Sequence, residues 1–293
     1  MQRATVLDEV AKGEFHQPGA LKCERLFELE PRFFADLRRE VNQMVDTAQP
    51  SNPEDPTHHS SYSSEPYGGV VQFSLLNKTG DFNDTASDVD GSIHGKSFHH
   101  RKTFPTIAAF IDLFPHAINM RINGLPPSGG FSAHAEQVSR RNGRAYHFKT
   151  RFHLPIETND ASRVLLEDEI FHFDVGSIYY FNNGCVHAVE NKGQSRRLHL
   201  IWDMLLTEET IDLMFGDTSH GPLLRPSRED RRVLVLGSST PDDFIIQGAC
   251  KSTYELLRLK SLGIKQRTWQ TWFSNYSYAR YKMFGHPAPD QPH

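Results

Sequence analysis

GSIYYFNNGCVHAVENKGQSRRLHLIWDM, residues 176–204, speaks most directly about the architecture of this chain. Two runs rich in β-branched and aromatic residues flank a segment broken by Asn-Asn-Gly and Lys-Gly-Gln. Such runs suit a pleated, half-buried surface, and the Gly and Asn clusters supply turns. Upstream, AINMRINGL (117–125) and YHFKTRFHLPIE (146–157) read the same way. On an extended strand, residues two apart share a face. Ile118, Met120 and Ile122 therefore oppose Asn119, Arg121 and Asn123, while Phe152, Leu154 and Ile156 oppose Arg151 and His153. Several short strands divided by turns, with no strand–helix alternation, indicate a β-sandwich or barrel rather than a doubly wound sheet. A barrel with a polar lumen and a sheet with a solvated face both fit this alternation.

Helical signals lie outside this middle part. PRFFADLRREVNQMVDTA (31–48) has Pro in its first turn and Phe34, Leu37, Val41 and Met44 at helical spacing. FPTIAAFIDLF predicts a short helix beginning near Pro105, and YGGVVQFSLLN a strand. Residues 1–20 read as a loose arm, 47–66 as a proline-rich loop and 77–103 as a polar excursion. From about residue 205 the pattern turns helical, with helices expected in TPDDFIIQGACKSTYELLRLKSL and WQTWFSNYSYARYKMF. The organisation expected is an N-terminal arm, helix and loop packing on the core (1–66), a β core (67–206) and a C-terminal helical region (207–293).

Composition narrows the function. A net charge of -4 offers no general basic field for nucleic acid. No apolar stretch reaches the roughly 18 residues of a membrane span, and the first residues lack a signal-peptide core. Three cysteines without CxxC spacing argue against a disulfide framework, so a soluble, cytoplasmic protein is expected. The 16 histidines make metal chemistry worth testing.

In FSAHAEQ (131–137), His134 and Glu136 stand two apart after a glycine turn, so on a strand they share a face. One imidazole and one carboxylate make two-thirds of the facial triad of non-haem Fe(II). His187, on a neighbouring strand, is the best third ligand. His-x-Glu alone also arises by chance among this many histidines. Arg197, ten residues after His187, could grip the far carboxylate of a 2-oxo acid through two parallel hydrogen bonds, or form a surface ion pair. The pairs His58–His59 and His99–His100 lack ligand spacing and read as loop residues.

With GGFSAHAE, TRFHLPIETN and EDEIFHFDVGSIYYFNNGCVHAVENKGQSRRLHLIWDM in this order, the chain resembles the aspartyl/asparaginyl β-hydroxylases, Fe(II)/2-oxoglutarate dioxygenases that include proline cis-hydroxylases. The resemblance covers about residues 67–206. It implies a double-stranded β-helix, also called a jelly roll or cupin fold, with Fe(II), 2-oxoglutarate and O2. By position it implies His134 and His187 as iron ligands. It also implies Glu136 as the third, one methylene longer than the Asp of proline hydroxylases. Arg197 would hold the distal carboxylate of 2-oxoglutarate, His153 would lie near its iron-side carboxylate, and Asn123 falls where aspartyl hydroxylases have a Ser that helps hold it. Arg151 and Arg121 would meet a substrate carboxylate. The activity implied is oxidation, foremost hydroxylation, of an unactivated C–H bond in a free amino acid or small derivative, with release of succinate and CO2. A carboxylate at position 136 argues against halogenation.

Three other readings stay open. The substrate could be Asp or Asn in a peptide, or the same scaffold could desaturate or cyclise. His134, Glu136 and His187 could hold zinc in a hydrolase, although such an enzyme would not require Arg197. A non-catalytic cupin-like protein could simply bind a carboxylate. The sequence leaves oligomeric state open.

Overall fold

The computed structural model describes residues 3–12, 22–48, 70–89, 92–134, 139–142, 145–167, 169–185, 187–216, 223–226 and 234–238. Five helices lie in these segments: α1 (Arg3–Lys12), α2 (Pro31–Thr47), α3 (Thr85–Val89), α4 (Pro105–Asp112) and α5 (Glu208–Phe215). The strands are β1 (Cys23–Leu29), β2 (Val71–Ser74), β3 (Ala117–Leu125), β4 (Gly130–His134), β5 (Ser139–Asn142), β6 (Ala145–Glu157) and β7 (Ser162–Leu166). Further along come β8 (Glu169–His172), β9 (Ser177–Phe181), β10 (His187–Asn191), β11 (Arg197–Leu205), β12 (Leu224–Pro226) and β13 (Leu234–Ser238). All pair antiparallel in two sheets. The larger has the order β12-β1-β9-β6-β11-β3-β2, with β5 on β6, and the smaller β13-β8-β7-β10-β4. This is the jelly-roll architecture that the family resemblance implies, within the sandwich-or-barrel class that the strand pattern predicts.

The apolar face of the large sheet makes the main core. Met120, Ile122, Phe152, Leu154, Leu200 and Trp202 pack there with Leu37, Val41 and Met44 of α2, Ile107 and Phe110 of α4, and Ile211 and Met214 of α5. Each large apolar side chain buried this way contributes roughly 1.5–3 kcal/mol. That fixes the register. Slipping β11 by one residue would put Asp203 into this core and Trp202 into the space between the sheets.

Local chemistry explains the two helices predicted from spacing. In α2, Pro31 sits at the first turn and Glu30 accepts from Phe33 N at 2.7 Å, capping the helix. The residue before α4 is Phe104, which offers no capping oxygen. Glu40 of α2 takes the role across space, accepting from Thr106 N at 2.8 Å, Ile107 N at 3.0 Å and Thr106 Oγ1 at 2.6 Å. One carboxylate thus ends α4 and fastens it to α2.

Three expectations change. Residues 3–12 form a helix whose Val6 is fully buried, not a loose arm. CERLFEL forms β1, inside the large sheet between β12 and β9, with its strand face interrupted by a register shift between Arg25 and Phe27. That shift hides the alternation in the sequence. Past residue 205, α5 is helical as expected, but 224–226 and 234–238 are strands that extend the two sheets. The helices expected within 240–284 lie outside the described residues. No described helix is long and apolar enough to cross a membrane, which says nothing of a β-barrel.

Candidate active site

The polar face of the large sheet is not solvated. Asn119, Arg121 and Asn123 of β3, Arg151 and His153 of β6, and Arg197, His199 and Asp203 of β11 are all buried, Arg197 to 1 % exposure. Pairing lines them up across three adjacent strands: Asn119, Asp203 and Arg151 in one row, and Arg121, Ile201 and His153 in the next. Asn123 stands opposite His199. The small sheet covers this face. Val164 and Leu166 of β7 and Phe171 of β8 form a second apolar cluster with Cys23, Tyr179, Phe181 and Cys185. The space between the sheets is therefore apolar at one end and strongly polar at the other, and the polar alternation belongs to a lumen. His100 is structural, stacking on Phe82 at 4.3 Å with its Nε2 2.7 Å from Gly80 O, while His99 is exposed with its Nε2 3.3 Å from Ser97 Oγ. His58 and His59 lie outside the described residues.

Sheet pairing joins the two histidines that sequence reasoning singled out. His187 of β10 is the direct register partner of His134 at the end of β4. Gly130 makes that ladder close-packed, because a Cβ there would lie 2.8 Å from Val189 O. His187 is buried and meets Phe181 of the facing sheet edge-on at 5.1 Å, so it looks into the lumen. Its Nδ1 lies 2.9 Å from Cys185 O. A carbonyl only accepts, so Nδ1 carries the proton and Nε2 keeps the lone pair that a metal needs. Glu136 lies outside the described residues. Among the described residues no three of His, Cys, Asp or Glu gather as a metal cluster.

Two clusters of charge share the lumen, and they differ in balance. Asp203 is fully surrounded: it accepts from Arg151 Nε at 2.7 Å and Nη2 at 3.0 Å, Lys149 Nζ at 3.2 Å and Asn119 Nδ2 at 3.1 Å. Burial alone would raise its pKa, but the charges of Arg151 and Lys149 overcome it and hold the carboxyl well below the usual range. Arg197 is the opposite case. It makes no ion pair with an acid among the described residues. Its Nη2 donates to His199 Nδ1 at 2.7 Å and its Nε has no partner. Burial pushes its pKa down to about 9, so it stays charged at neutral pH. A buried cation without an acid is costly unless an anion arrives.

Around Arg197 the unsatisfied atoms continue. Asn123 Oδ1, His199 Nε2 and both nitrogens of His153 have no partner. Burial, then the nearby charge of Arg197, keeps both imidazoles neutral. His153 is held flat against Phe181 at 4.4 Å. The buried donors here, above all the guanidinium of Arg197 with no acid beside it among the described residues, suit a small carboxylate compound such as 2-oxoglutarate. His199 and Lys149, and the role of Asp203 as counter-ion to Arg151, were not picked from the sequence. The two-residue alternation that marks Arg151 and His153 also marks them.

The sequence model for "Aspartyl/Asparaginyl beta-hydroxylase" matches residues 34–206. The chain belongs to this family. Membership makes the hydroxylase an Fe(II)- and 2-oxoglutarate-dependent oxygenase that uses O2, and the buried Arg197 suits a carboxylate of that co-substrate. The hydroxylase matches no curated protein sequence. Among solved structures it is similar to a Pseudomonas putida prolyl-4-hydroxylase at 13 % identity and TM-score 0.39, over 69 % of this chain and 98 % of that one. It is also similar to a 2OG-Fe(II) oxygenase family oxidoreductase from Burkholderia pseudomallei at 11 % and 0.31, over 61 % and 93 %. A viral collagen prolyl hydroxylase from Paramecium Bursaria Chlorella virus-1 gives 8 % and 0.31, over 60 % and 94 %.

Proposed function

We propose that this hydroxylase oxidises an unactivated C–H bond of a free amino acid or small amino-acid derivative, with iron held by His134, Glu136 and His187. The observation that carries the reading is Arg197, buried to 1 % exposure with no acid beside it among the described residues, on the lumen face that His187 overlooks. When bound, iron, 2-oxoglutarate and O2 supply the C–H-oxidising power and release succinate and CO2. The chain positions the reactants and excludes water.

In this reading Arg197 and Asn123 take the distal carboxylate of 2-oxoglutarate, and His153 lies by its iron-side carboxylate. Arg121 is the first anchor for a substrate carboxylate. Arg151, the other arginine read as a substrate anchor, has turned its Nε–Nη2 edge to Asp203. Asp88 favours an amino acid. Its buried carboxylate accepts from Gln72 Nε2 at 2.7 Å and Ser74 Oγ at 2.9 Å, and Ser74 is the register partner of Arg121. A carboxylate beside a guanidinium complements an ammonium beside a carboxylate. A soluble, cytoplasmic setting suits a free metabolite.

The test is anaerobic titration with Fe(II) and then 2-oxoglutarate, followed by aerobic succinate release across free amino acids, N-acyl amino acids and Asp/Asn peptides. A visible charge-transfer band, lost in Arg197→Ala at 2-oxoglutarate concentrations that saturate the parent, is expected. Removing a charge-assisted bidentate contact weakens binding by at least about 30-fold. Succinate release coupled only to peptides would replace the free amino acid with the peptide reading. An unchanged band in Arg197→Ala would remove Arg197 from the co-substrate site.

A further inference from the structure

We propose that His199 is a direct ligand of the 2-oxo acid co-substrate, a donor fixed by Arg197 to hydrogen-bond the distal carboxylate through Nε2. The inference rests on the oxygenase reading and adds a residue to it.

The contact between Arg197 and His199 settles a proton. A guanidinium has donors only, so in the 2.7 Å contact Nη2 must donate and His199 Nδ1 must accept. A neutral imidazole whose Nδ1 accepts carries its one proton on Nε2. His199 is 1 % exposed, and burial with the charge of Arg197 beside it keeps the ring neutral. Nε2–H is then a buried donor, and it has no partner among the described residues. Native proteins rarely leave such a donor unsatisfied, because it forfeits the hydrogen bond it had with water.

The surroundings indicate what satisfies it. His199 stands on the lumen face two residues from Arg197 and opposite Asn123. Arg197 Nε beside it is also a donor without a partner. Two buried donors, one of them cationic, call for an anionic oxygen acceptor and not for water alone or an ammonium group. Phe173 stacks near the ring at 6.3 Å and His153 meets it edge-on at 5.8 Å, so packing restricts its rotation. The imidazole thus orients the guanidinium with one nitrogen and offers the other to the ligand.

Two substitutions separate these roles. Asn places an acceptor near Nδ1 but reaches no donor to the Nε2 position. Gln places an amide donor near Nε2. The measurement is calorimetric binding to the Fe(II)-loaded protein without oxygen, using 2-oxoglutarate and 2-oxopentanoate, the same chain without the distal carboxylate. His199→Asn is expected to weaken 2-oxoglutarate by about 10- to 100-fold, as for loss of a hydrogen bond to a charged group. His199→Gln should retain most of the affinity, and 2-oxopentanoate should bind all three proteins alike. Nitrogen-15 spectra of the parent should show Nδ1 as the pyridine-like nitrogen of His199.

Full affinity in His199→Asn would overturn the proposal, since His199 would then act only on Arg197. Equal losses for both 2-oxo acids would also overturn it, because the pocket rather than the distal contact would have changed. A parent protein that binds neither 2-oxo acid would instead remove the oxygenase reading on which the proposal stands.

Discussion

Replacing Asp203 by Asn keeps the shape of the side chain and removes its charge. Four hydrogen bonds converge on that carboxylate, two from Arg151 at 2.7 and 3.0 Å, one from Lys149 at 3.2 Å and one from Asn119 at 3.1 Å. All the groups are buried, with side-chain exposures of 7 % for Arg151 and 4 % for Lys149. Hydrogen bonds to charged groups contribute about 1.5–3 kcal/mol each but do not add when they share one acceptor. The larger effect is that Arg151 and Lys149 lose their counter-ion. Removing one partner from a buried pair destabilises by about 3–5 kcal/mol, and that is the loss expected for Asp203→Asn at pH 7. Urea unfolding of the ligand-free protein, followed by fluorescence, measures it as a lower midpoint with an unchanged slope.

The pH dependence gives a second reading of the same reasoning. Asp203 has a folded-state pKa well below its unfolded value, because the cations outweigh burial. Its contribution is therefore complete above the unfolded value of about 3.9 and disappears as pH falls toward the folded one. The gap between parent and variant should stay flat from about pH 5 to 8 and close below about pH 4. Adding Arg151→Met should recover part of the loss by removing the stranded cation. A loss under about 1 kcal/mol, or a gap that closes near neutrality, would refute the claim that this carboxylate balances the buried charge.

Three other outcomes follow from the geometry. His187→Ala should abolish Fe(II) binding at one equivalent while far-UV circular dichroism stays unchanged; full iron occupancy would remove His187 from the ligand set. Glu40→Ala leaves two N–H groups at the start of α4 unpaired and should lower stability by about 1–2 kcal/mol, with Glu40→Gln losing less. Equal stability of the two variants would contradict the cross-helix cap. Gly130→Ala brings a Cβ to 2.8 Å from Val189 O and must spread β4 from β10. Overpacking of this kind costs about 1–3 kcal/mol, and because the same ladder pairs His134 with His187, Fe(II) affinity should fall with stability. Unchanged iron affinity would mean the spacing of that ladder does not matter to the metal.

Local pattern was enough for the strand segments of the middle part, the two faces of β3 and β6, and the helices at 31 and 105. These are local properties: side-chain alternation, Pro at a first turn and apolar spacing act within a few residues of themselves. It also picked out Arg197, His187 and His134 as a set worth joining, largely through their order along the chain.

The rest depended on long-range packing. Alternation cannot tell lumen from solvent, because both make every second residue polar. Burial of Arg197 and Asp203 to 1 % exposure settled it. The helical start at Arg3 and the integration of β1 into the large sheet depend on contacts with residues far along the chain, so local pattern missed them. The unequal fates of two arginines on one face were also invisible. Arg151 meets Asp203 across a strand pair, while Arg197 has His199 and no acid among the described residues. Whether a buried cation is balanced by the protein or left for a ligand depends on which strands lie side by side. That is fixed by long-range pairing and not by any stretch of sequence alone.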